Sequence, residues 1–154
     1  MLSIYSILYA QIIVYLILIN LLKFINIENE KFNLFKDYYN NHKNLIIDFI
    51  ISYIILKLSE KYSIKNLPKI YNRILMIIIF DLILSLYIRY TSFDSNYLQF
   101  LKKWANLVGW FAILWDIIYF LSIGKIADKI NNIEIIKKYS FLIILCFGFI
   151  LLHL

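Results

Sequence analysis

Three aspartates set the chemistry this chain can offer. Asp48, Asp81 and Asp116 each stand in an otherwise apolar stretch. An aspartate at the centre of a bilayer costs about 2.5–3.5 kcal/mol on insertion scales, so it faces a partner or a water-filled cavity. Two of the surroundings echo each other: Asp48-Phe-Ile-Ile-Ser52 and Asp81-Leu-Ile-Leu-Ser85. Residues four apart share a helix face, and Arg89 continues the face of Asp81 and Ser85. Two kinds of chemistry fit such acids. They can bond helix to helix as structural hydrogen-bonding groups, or they can exchange protons or cations along a pathway. Intramembrane aspartyl proteolysis needs a Gly-x-Gly-Asp motif. Here Phe80 precedes Asp81 and Trp115 precedes Asp116, so that motif is absent.

Other catalytic signatures are missing. The sequence holds no phosphate-binding glycine loop, no His-Glu-x-x-His, no Cys-x-x-Cys and no Gly-x-Ser-x-Gly. With one cysteine, Cys146, it can form no internal disulfide and no cysteine-based metal site. His42 and His153 have no ligand cluster beside them. No enzyme activity, metal site or cofactor is expected. A carrier built on broken helices would show glycine and proline interruptions, and there are only three glycines and one proline.

The elements that must position these acids follow from composition. The chain has 154 residues, 62% of them hydrophobic and 17% charged, and a mean hydropathy of +0.75. So small a soluble domain cannot bury that much apolar surface. An all-α, polytopic integral membrane bundle in one domain, residues 1–154, is expected. Its helices are placed at 2–22, 44–62, 70–90, 104–124 and 135–154. The second is short and carries Asp48 and Lys57, so the count is four to five. The first lacks a basic leader and a small-residue cleavage site, and is read as a retained helix. Residues 28–40 mix aromatic and charged side chains at helical spacing, which suits an amphipathic segment lying at the interface.

In the fourth helix, Ala105, Gly109 and Ala112 lead to Asp116 at spacings of 4, 3 and 4. Small residues so spaced let backbones approach, so these are expected to form a packing stripe. The net charge of +6 points to membrane-facing loops rather than nucleic acid. Nine basic residues flank one side of the five-helix topology and seven the other. The positive-inside rule then puts the N-terminus inside and the C-terminus outside.

The expected partners are the lipid bilayer and other membrane subunits or a second copy. No nucleic acid or small-molecule substrate is identifiable. The abundance of Ile, Asn, Lys, Tyr and Phe fits an AT-rich genome, viral or organellar. The leading functional expectation is a non-enzymatic structural or assembly component of a membrane or membrane complex. The alternatives are a small oligomeric ion channel or proton pathway using the aspartates, and an accessory subunit of a respiratory or virion-membrane complex.

Overall fold

The computed structural model describes residues 1–24, 29–92, 96–133 and 139. These fold into six helices without a strand: α1 Ile4–Phe24, α2 Glu30–Asn40, α3 His42–Lys61, α4 Lys69–Tyr90, α5 Asn96–Val108 and α6 Trp110–Ile130. Three of them, α1, α4 and α6, are long and apolar enough to cross a membrane. At ~1.5 Å per residue each is about 30 Å long. α3 matches them in length, with 20 residues. Its ends and middle carry Lys43, Asp48, Lys57, Glu60 and Lys61, and it does not join that set. The helix expected at 135–154 falls outside the described residues except for Tyr139.

Local chemistry explains the helix boundaries. Ser3 caps α1, its hydroxyl accepting the Ser6 N–H at 3.0 Å. Pro68 stands immediately before α4, where a missing N–H costs nothing and the residue before it is kept out of the helical region. Asn72 pins the α3–α4 turn. Its Oδ1 accepts from Ile64 N–H at 3.0 Å, and its Nδ2 donates to the Leu67 carbonyl at 3.1 Å.

The four long helices alternate in direction. α1 packs chiefly on α6, while α4 lies against both α3 and α6. The bundle interior holds Ile7, Leu56, Ile77, Ile123 and Ala127, all fully buried. α2 and α5 fold over one end. The opposite end gathers the start of α1, the end of α3, the start of α4 and the end of α6. There Leu2 N–H donates to the Glu60 carboxylate and Ser3 N–H to Asn131 Oδ1 at 2.8 Å. Arg73, buried, forms a two-pronged ion pair with Asp128 at 2.8 and 3.0 Å. Lys69 joins Asp128 as well and approaches Glu60 at 3.6 Å. This network closes that end with charge paired to charge.

The helix expected at 104–124 is two helices. Gly109 separates them with φ +55° and ψ −131°, a backbone conformation that a side chain opposes. The second helix then runs past 124 to Ile130. Gly124, Ala127 and Asp128 face the bundle there, while Lys125 and Lys129 stay exposed, so the charges do not end it. Ala105 lies on α5, Gly109 in the break and Ala112 on α6. The expected packing stripe is therefore not formed, because the chain turns at its middle residue. A methyl group at 109 would meet nothing within 4 Å. Gly109→Ala is accordingly expected to lower stability by about 1–3 kcal/mol through backbone strain alone. Thermal melting of the detergent-solubilised protein checks this, and a melting point unchanged from the parent would contradict it.

Candidate functional site

α3, α4 and α6 each deliver one aspartate to the same place. Asp48, Asp81 and Asp116 line one cavity of about 650 Å³ beneath α2 and α5. Ser85 and Arg89, the next residues along the Asp81 face, line it too. The three acids are far apart in sequence, and the antiparallel packing of their helices brings them level.

Their surroundings differ. Asp48 is buried, and its Oδ1 accepts the Tyr38 hydroxyl at 2.6 Å. The Tyr119 hydroxyl lies beside the same carboxyl, yet Asp48 Oδ2 finds no partner among the described residues. Asp81 and Asp116 meet carboxyl to carboxyl, close enough to hydrogen-bond each other. Asp81 Oδ2 is buried, and no N–H or O–H among the described residues reaches it. No Lys or Arg among the described side chains forms an ion pair with any of the three.

A second layer holds this arrangement. The Ser52 hydroxyl lies 2.6 Å from the Asp48 carbonyl and 2.8 Å from Gln11 Oε1. Gln11 Nε2 donates to the Tyr119 hydroxyl at 2.5 Å. Ser52 thus supports the site from behind, tying α1 to α3. Ser85 instead donates to the Leu82 carbonyl of its own helix at 2.8 Å. Trp115 Nε1 donates to the Tyr39 hydroxyl at 3.0 Å, and the Tyr15 hydroxyl donates to the Tyr39 carbonyl at 2.7 Å. Burial, and after it the Asp48 carboxylate, hold the Tyr39 hydroxyl well above the ordinary tyrosine range, so it stays neutral. No family model, curated protein or solved structure matches this chain.

Sequence reasoning singled out the acids but missed Gln11, Tyr38, Tyr39 and Tyr119. Gln11 carried a usable signal, as the one amide within residues 4–19. The tyrosines carried none, since 13 are spread along the chain. Ala105, Gly109 and Ala112 line the same cavity, as part of its α5–α6 wall and not as a helix-packing surface. Among the described residues, no group of three His, Cys, Asp or Glu is placed to hold a metal ion. Cys146 and His153 lie outside those residues.

Proposed function

We propose that the chain is a multi-pass integral membrane protein whose Asp81–Asp116 pair exchanges protons through the cavity. In this reading α1, α3, α4 and α6 all cross the bilayer and residues 135–154 supply the fifth crossing. The outer faces support a lipid environment. Leu16, Ile17, Leu82, Ile83, Leu86 and Ile118 are all exposed, and water would penalise so many exposed large apolar side chains.

The observation that carries the proton reading is the facing carboxyl pair. A hydrogen bond between two carboxyls requires a proton on at least one of them. Aspartates that only join helices are served by a donor that keeps its proton near neutral pH, such as a tyrosine hydroxyl. Asp48 has one in Tyr38, but Asp81 has Asp116 instead. A proton shared by two acids can leave and return, which favours a working group over a purely structural one. In this five-helix topology nine basic residues flank the side of the closed end and seven the other. The positive-inside rule then assigns that end to the interior and opens the cavity outward.

The experiment is purified protein in liposomes with an internal pH dye, a potassium gradient and valinomycin. The parent should carry proton flux above empty liposomes. Asp81→Asn and Asp116→Asn should melt like the parent yet lose the flux, because an amide bonds without exchanging a proton. A parent without flux would leave the acids as helix-joining groups and return the protein to the structural or assembly reading.

A further inference from the structure

We propose that the cavity beneath α2 and α5 binds a monovalent organic ammonium compound. Its cation would sit against Asp48 and its organic part against the rings of Tyr38, Phe100 and Trp104. The inference rests on reading this cavity as a working membrane site.

Four observations converge on that ligand class. First, the volume of about 650 Å³ falls within the range of small-molecule pockets, roughly 300–1,000 Å³, and far exceeds what a bare ion fills. Second, Asp48 lines the cavity at 6% exposure, with Oδ2 unpartnered. The Tyr38 and Tyr119 hydroxyls leave that oxygen open; a counter-charge would stabilise the buried carboxylate, and no described Lys or Arg supplies one. Third, the wall next to that carboxyl is aromatic. Tyr38, which donates to Asp48, stacks on Phe100 with centroids 5.4 Å apart. Trp104 lies 6.0 Å from both rings. Ring faces beside a carboxylate attract an ammonium group and its alkyl substituents together. Fourth, a divalent metal is a poor occupant, since no three described ligands gather for one. Arg89 and Lys102 also line the cavity. They would repel a second positive charge, so a monovalent ammonium with a neutral or anionic tail fits better than a diamine.

The chain reports on its own cavity. All three of its tryptophans, Trp104, Trp110 and Trp115, line it. The test titrates the full-length, detergent-solubilised protein with phenethyltrimethylammonium and follows tryptophan fluorescence. Phenethyl alcohol and phenylacetate are the neutral and anionic controls. The ammonium should give a saturable change that the controls do not give at equal concentration. Asp48→Asn keeps an acceptor for Tyr38 and should weaken binding at least tenfold. Phe100→Leu, on the aromatic wall, should weaken it at least threefold and stands in if the Asp48 variant does not fold. The proposal is overturned by no saturable change, by equal binding of phenethyl alcohol, or by unchanged affinity in a folded variant. The liposome assay separates this result from the proton reading. Flux that depends on Asp81, with no ammonium binding, would remove this inference alone.

Discussion

Asp128→Leu is expected to destabilise the protein by about 3 kcal/mol, among the largest single losses available outside the cavity. Arg73 is 4% exposed, and its two terminal nitrogens are both spent on Asp128. Removing one partner of such a pair leaves an uncompensated buried charge, which costs about 3–5 kcal/mol. The lower figure applies because the Asp128 side chain is about a third exposed, so water can partly replace it. Lys69 would also lose its closer partner and keep only Glu60 at 3.6 Å. The double change Arg73→Met with Asp128→Leu should recover most of the loss, since an apolar pair of similar volume avoids the desolvation cost. Melting curves of the four proteins in one detergent decide the matter. If Asp128→Leu costs no more than Lys129→Leu one position on, the ion pair does not hold the closed end together.

That pair marks where sequence reasoning stops. The apolar runs were legible because hydropathy over 20 residues depends on composition alone, and α1 and α4 lie within two residues of their expected bounds. The three acids were legible for the same reason, as charges in apolar surroundings. Their convergence was not. Nothing local in Asp48, Asp81 or Asp116 says that three helices will bring them to one depth. In the sequence Arg73 is one more basic residue near a helix end. Its partner lies 55 residues away, and Asp128 stands four residues beyond the expected helix end at 124. Gly109 misled in the opposite direction. Its spacing with Ala105 and Ala112 fitted a continuous helix, whereas its conformational freedom is used to end one helix and begin another.

The glycine that does serve close packing is Gly124, and its replacement provides the sharper test. Its backbone is ordinary helix, so strain plays no part. A methyl there would stand 2.8 Å from Arg73 Nη1 and 2.9 Å from Leu56 Cδ2. Both distances are below contact. A guanidinium end could normally swing aside, but this one is buried and fixed by Asp128. At an open helical position, glycine to alanine stabilises by about 1 kcal/mol. Gly124→Ala should instead destabilise by about 1–3 kcal/mol, the usual cost of overpacking. The sign alone is therefore diagnostic. Gly124→Leu adds three more carbons against the same groups and should cost more than Gly109→Leu, whose methyl position is open. In the Arg73→Met, Asp128→Leu background the Gly124→Ala penalty should shrink, because a methionine end can move where the paired guanidinium cannot. Detergent melting curves for these variants give the comparison. A stabilising Gly124→Ala in the parent would mean that Arg73 does not lie against α6.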